Sequence, residues 1–215
     1  MEVRVAKPQE YAAVLDFYTR MIDEMRGTDF DVQWKHGVHP SPEFLRASVD
    51  AGRVYLGVVE GDEVVSSAGA QLDEPAEGAD TPGASGVLDT PDVSDAPNAA
   101  PRPAIACALV MNDETAPGYE TVSWRVDAPP ADVWVLHVVA TLPAYHGRGY
   151  AYQLVSAAVE AARAAGKKSL RLDTFDFNDR ARRLYEKCGF DFVGTATTFY
   201  KDIGNIDAAM YEHVL

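Results

Sequence analysis

The sequence predicts an α/β (α+β) protein with a mixed, mostly antiparallel central sheet and helices on both faces. Three observations lead there. Val133 to Ala140 is a short apolar run rich in β-branched residues, read as a buried strand. After the glycine-rich turn Pro143 to Ala151, residues Ala151, Leu154, Val155, Ala158, Ala162 and Ala165 fall on one helical face until Gly166 ends the period. Ser169 to Phe175 reads as a second strand, a helix follows to Lys187, and Phe192 to Tyr200 and Ala209 to Val214 read as two closing strands.

Taken in order, residues 2 to 5 form a first or edge strand. Pro8 opens a helix whose apolar positions Tyr11, Val14, Leu15, Tyr18, Met21, Ile22 and Met25 keep helical spacing, and Gly27 stops it. Phe30 to Pro40 is a loop holding Trp34, and Ser41-Pro42-Glu43 starts a short helix to about Val49. Val54 to Val59 and Glu63 to Gln71 flank the two-residue turn Gly61-Asp62 and read as a hairpin; Ala104 to Met111 is the alternative partner of Val54 to Val59. Tyr119 to Val126 reads as a further strand. Between Glu60 and Ala100 there are ten acidic and no basic residues, and residues 73–103 are mostly Ala, Asp, Gly, Pro and Ser. Such a stretch buries too little apolar surface to offset its ordering entropy, so it is expected to be a flexible acidic insertion in a single domain.

Composition narrows the function. At 215 residues and 47% hydrophobic, the chain supports one sizeable core. Its net charge of −14 repels nucleic acid. Cys107 and Cys188 make no disulfide framework, no apolar run is long enough to span a bilayer, and nothing near Met1 reads as a signal peptide, so a cytoplasmic protein without membrane contact is expected. The five histidines show no metal-ligand spacing with cysteines or carboxylates, so no metal is expected.

The turn at 143–151 carries the chemistry. The first amides of a helix lack acceptors and sit at its positive end, where a phosphate can receive them. Gly147 and Gly149 admit a close anion and Arg148 adds a charge. Between Ala144 and Cys188 nine basic residues face five acidic ones, so the turn lies in a basic sector of an acidic protein. A dinucleotide fingerprint would need glycine at Tyr152, and the Gly-Lys-Ser/Thr of a P-loop is absent.

Two spaced motifs sharpen this: His146-x-x-Gly149-x-Ala151, and Asn178-x-x-Ala181-x-x-x-Tyr185-x-x-x-Gly189-Phe190. In these the sequence resembles the GCN5-related N-acetyltransferase (GNAT) family. The resemblance implies that family's acyl-CoA fold, and acetyl-CoA as cosubstrate with its pyrophosphate on the loop His146, Gly147, Arg148, Gly149, Tyr150 and Ala151. It also implies a pantetheine arm paired with the backbone of Val139, Ala140 and Thr141, and Asn178 near the sulfur. Transfer is then direct, to a primary amine of a small molecule or protein, and a homodimer stays open. Tyr185 stands where the family places the proton donor for the departing thiolate; its bland alternative is a core aromatic beside Ala181 and Leu184.

His137 is the candidate base, since strand alternation puts it on the side of Val139 and Thr141; its bland alternative is a hydrogen-bonded core histidine among apolar neighbours. Asp173 and Glu120 are the reserve bases or anchors for a cationic acceptor. The resemblance further implies that Trp34, with Phe30, lines the acceptor pocket; the alternative is a Trp plugging the core edge. A non-catalytic acyl-CoA-binding module is the alternative to an enzyme.

Overall fold

The computed structural model describes residues 1–60, 103–200 and 204–215. Its strands are β1 (Glu2–Val5), β2 (Val54–Val59), β3 (Ala104–Asn112), β4 (Val133–Thr141), β5 (Ser169–Phe175), β6 (Asp191–Tyr200) and β7 (Gly204–Val214). Its helices are α1 (Tyr11–Met25), α2 (Pro42–Asp50), α3 (Tyr150–Ala164) and α4 (Asp179–Lys187). The sheet order is β1-β2-β3-β4-β5-β7-β6, and β4–β5 is its parallel pair.

Local chemistry sets the helices. Pro8 opens a short 3-10 turn before α1, whose buried face is Val14, Phe17, Tyr18, Met21, Ile22 and Met25; Gly27 follows at φ 70°. Ser41 caps α2 by accepting the Phe44 amide at 3.1 Å, and Asn178 caps α4 by accepting the Ala181 amide at 3.1 Å. With α2, α1 covers β2, β3 and β4 on one face; α3 and α4 cover the other, where Leu154, Val155 and Ala158 meet Leu109, Leu136, Leu170 and Leu172. Burying each such side chain contributes about 1.5–3 kcal/mol. Beside α1 and α2, the first face is completed by the segment after β3, where Tyr119 and Trp124 pack on Val135, Ala208 and Met210.

Of the two partners left open for Val54 to Val59, the structure shows Ala104 to Met111: β1 holds one edge of β2 and β3 the other. Residues 63–71, like the acidic insertion at 73–103 up to residue 102, lie outside the described residues. Tyr119 to Val126 is not a strand. Gly118, at φ 98°, starts a 3-10 turn over Tyr119–Thr121, and the amides of Arg125 and Val126 donate to the buried Glu212 carboxylate instead of to a neighbouring strand. The last hairpin is also longer than read, because β7 begins at Gly204 and pairs back to Tyr200. Among the described residues, no helix is long and apolar enough to cross a membrane.

Candidate active site where two strands separate

The parallel strands β4 and β5 pair only from Val133↔Ser169 to Leu136↔Leu172. Beyond Leu136, β4 stays with β3 and β5 stays with β7, which leaves a gap between His137–Thr141 and Asp173–Phe175. The separation starts at a bulge. Val110 pairs with His137 but Ala108 pairs with Ala140, so Leu109 faces two residues, and Val138 sits at φ 46°. A β-branched residue in that region is strained, by about 1–3 kcal/mol. The buried Tyr18 hydroxyl of α1 donates to the Val138 carbonyl at 2.9 Å and holds it there.

Past the bulge, the Leu142 amide donates to Ala106 of β3. Backbone groups alternate along an extended strand, so Val139 and Thr141 turn theirs toward the gap. The Thr141 carbonyl accepts from His146 Nε2 at 2.9 Å, and a carbonyl only accepts, so that nitrogen carries the proton. His146 thus closes the turn at the head of the gap and stacks on Phe30 with ring centroids 4.4 Å apart.

The turn then presents amides outward. Gln153 is the first residue of α3 whose amide bonds back, to Gly149 at 3.1 Å; the amides of Gly147, Gly149, Tyr150, Ala151 and Tyr152 meet no backbone acceptor among the described residues. Gly147 and Gly149 both sit at φ 75°, and a Cβ on either would meet no protein atom within 4 Å. Glycine serves the conformation there, and the space in front stays open. A cleft of about 670 Å3 runs from this turn, past Val139, Ala140 and Thr141, to α4, where Arg180, Arg183 and Lys187 line it. Open amides, a free strand edge and three cations fit a polyphosphate carried on an extended amide-bearing arm.

A second cavity, of about 350 Å3, opens on the α1–α2 side of the gap. The two share Val32, Trp34, Val139, Asn178, Ala181 and Tyr185. Tyr185 is 5% exposed and packs against Phe190 and Tyr211, and burial raises its pKa well above the ordinary phenol value, with Asp173 and Cys188 adding to the shift. It therefore stays protonated at neutral pH. Asp173 lies in the second cavity; burial raises its pKa, opposed by the Tyr119 hydroxyl, which donates to it at 2.9 Å.

His137 departs from expectation. The bulge breaks the alternation: His137 meets Phe44 on the α2 side, whereas Val139 packs on the α3 side, so the two do not share a face. Its Nε2 lies 2.8 Å from Asn112 Oδ1, and burial pushes its pKa down to about 4. The ring lines the second cavity as an uncharged wall at neutral pH. Glu120 is not brought to the site. Its exposed side chain accepts the Gly118 amide at 3.1 Å, and it lines neither cavity. Trp34 lines both cavities and Phe30 the larger one. Tyr18 and Tyr119, which set the bulge and hold Asp173, carried no local signal, because each acts across more than fifty residues of chain.

The family model described as the acetyltransferase (GNAT) family matches residues 19–190. The chain belongs to that family. It is similar to the uncharacterized N-acetyltransferase YycN of Bacillus subtilis (strain 168), 32% identical over 83 residues; the match covers 39% of this chain and 53% of that protein, so it spans about half the length of this curated relative. Solved structures share the fold. The yncA acetyltransferase of Salmonella typhimurium with acetyl-CoA aligns at TM-score 0.58 and 16% identity, covering 100% of this chain and 94% of that one. NAA60 of Arabidopsis thaliana in complex with acetyl-CoA aligns at TM-score 0.61 and 12% identity, covering 100% and 98%.

Proposed function

We propose that this GNAT protein is an acetyl-CoA-dependent N-acetyltransferase that transfers acetyl directly to a primary amine. The observation that carries the reading is the junction of the two cavities at Val139, Asn178 and Tyr185, with an open amide turn at the far end of one and a half-buried carboxylate in the other. Acetyl-CoA supplies an acetyl thioester. The amides of Gly147 to Tyr152 receive its pyrophosphate, the edge of β4 at Val139 to Thr141 pairs with its arm as an added strand would, and Arg180, Arg183 and Lys187 offset its remaining charge. Arg148 adds charge at the turn, and the Asn178 amide nitrogen, its oxygen being committed to the α4 cap, faces the arm.

An alkylammonium of pKa about 10.4 must lose a proton before it attacks. Asp173 is the acceptor for that proton, because its carboxylate lines the second cavity and desolvation raises its basicity, while burial lowers the basicity of His137. The neutral nitrogen bonds to the carbonyl carbon as the carbon–sulfur bond breaks. Tyr185 protonates the departing sulfur and regains a proton from the acylated nitrogen, which leaves one proton on Asp173 for solvent. Protons balance without an acyl-enzyme, and Cys188, whose thiol pKa burial raises, is not needed as a nucleophile. A buried acid at the junction and a half-buried carboxylate in the second cavity favour turnover over a binding-only module. An amine screen with acetyl-CoA, read as free thiol release and amide mass, tests this; tight acetyl-CoA binding without any amine-dependent thiol release would reverse it.

A further inference from the structure

The acceptor cavity is asymmetric in charge. Among the described residues lining it, Asp173 is the one carboxylate, and no lysine or arginine lines it. Leu136, Val138, Phe175 and Phe199 surround the body of the space, with Trp34, edge-on to His39 at 5.1 Å, toward the α1–α2 loop, while His137, Thr174, Asn178 and Tyr185 add uncharged polar groups. At about 350 Å3 it is at the small end of ligand pockets.

Asp173 is also held in place from behind. Tyr119, its hydroxyl partner, receives the Trp124 indole N–H on its carbonyl at 2.8 Å, with the two rings 5.1 Å apart. The Arg171 guanidinium lies 4.3 Å over Trp124, and its Nε donates at 3.0 Å to Glu212, which is fully buried and also accepts from Ser169 Oγ at 2.6 Å. Arg171 and Asp173 are two residues apart on β5 and face the same side. A run of contacts thus fastens the segment after β3 onto the sheet and fixes the Asp173 carboxylate facing the cavity.

Resting on the acetyl-transfer reading above, we infer that the acceptor is a small primary amine with one positive charge on a flat apolar body, its nitrogen on Asp173 and its body between Trp34, Pro117 and Phe199. A second ammonium, as in a diamine, would find no second carboxylate here, and a carboxylate beside the nitrogen, as in an amino acid, would sit against Asp173 with no lysine or arginine lining the cavity. Of the two imidazoles that line it, His39 and His137, burial keeps that of His137 uncharged. A peptide of several residues would outgrow a cavity of about 350 Å3.

The test uses 2-phenylethylamine, putrescine, phenylalanine and an alanine-led tetrapeptide, with calorimetry of acetyl-CoA alongside. The expected result is a kcat/KM for phenylethylamine at least about tenfold above each of the others. Binding of phenylethylamine to the cofactor-free protein, followed by ligand-observed NMR, needs no turnover; Asp173→Asn keeps the Tyr119 hydrogen bond and should weaken it about 10²-fold. Phe199→Ala, at an exposed rim position, should narrow the preference for phenylethylamine over ethylamine. Preference for the diamine, the amino acid or the peptide overturns the acceptor class, as does unchanged phenylethylamine binding in a folded Asp173→Asn protein. Absence of phenylethylamine binding overturns it even where acetyl-CoA binds. Loss of acetyl-CoA binding alone overturns the acetyl-transfer reading instead, and the NMR result still decides the acceptor.

Discussion

Replacing Tyr185 with phenylalanine removes one hydroxyl and keeps the ring between Phe190 and Tyr211, at centroid distances of 6.1 and 6.2 Å. No hydrogen bond from that hydroxyl to another side chain or to backbone occurs among the described residues, so the variant leaves no partner stranded, and its stability should stay within about 1 kcal/mol of wild type. The cofactor turn lies elsewhere on the cleft wall, and acetyl-CoA affinity should stay within about twofold. The transfer rate is another matter. A positioned general acid contributes about 10²–10⁴-fold, equivalent to about 3–5 kcal/mol of barrier at 1.36 kcal/mol per decade. Single-turnover thiol release at saturating amine isolates that step, and urea melts with acetyl-CoA calorimetry supply the controls. A folded Tyr185→Phe protein that binds acetyl-CoA and transfers at the wild-type rate would make Tyr185 a core aromatic and leave the sulfur to be protonated by water.

Other outcomes follow from the same geometry. Tyr119→Phe removes the hydrogen bond that opposes the rise in the Asp173 pKa, so the carboxyl should titrate higher and the acidic limb of kcat/KM should move to higher pH, because the base works only when deprotonated. Protonation of His137 makes folding pH-dependent in a defined window: its folded pKa of about 4 lies below the ordinary 6.5, so stability present above pH 6.5 is lost as pH falls toward 4, by up to about 3 kcal/mol, and His137→Phe should flatten that part of a urea-stability profile. Glu212→Ala strands the buried Arg171 and should destabilise by about 3–5 kcal/mol in urea melts, while the isosteric Glu212→Gln should cost less.

Much of the fold was legible because its signals are local. The boundaries of β5 at Ser169 and Phe175, the cap at Ser41 and the stop at Gly27 each follow from residues within one turn of the event. The glycine turn was legible for the same reason, since Gly147 and Gly149 carry the left-handed conformation themselves. What escaped depends on distant partners. The bulge at Val138 is fixed by Tyr18 of α1, 120 residues away, and it alone moves His137 off the face that simple alternation gives it. The segment from Tyr119 to Val126 has strand-like composition, yet its amides go to Glu212, 86 and 87 residues on. Arg171 and Asp173, polar positions alternating with Leu170 and Leu172, were the visible trace of that buried polar face.

If the turn at Gly147 to Tyr152 seats the acetyl-CoA pyrophosphate, calorimetry of wild type against Gly149→Val shows it most directly. A Cβ at Gly149 meets no protein atom within 4 Å, so the substitution adds the strain of φ 75° and puts a branched side chain where the phosphates would lie. Wild type should bind acetyl-CoA with measurable heat and the folded Gly149→Val protein should show none, whereas equal affinity in the two would contradict the placement of the cofactor on this turn.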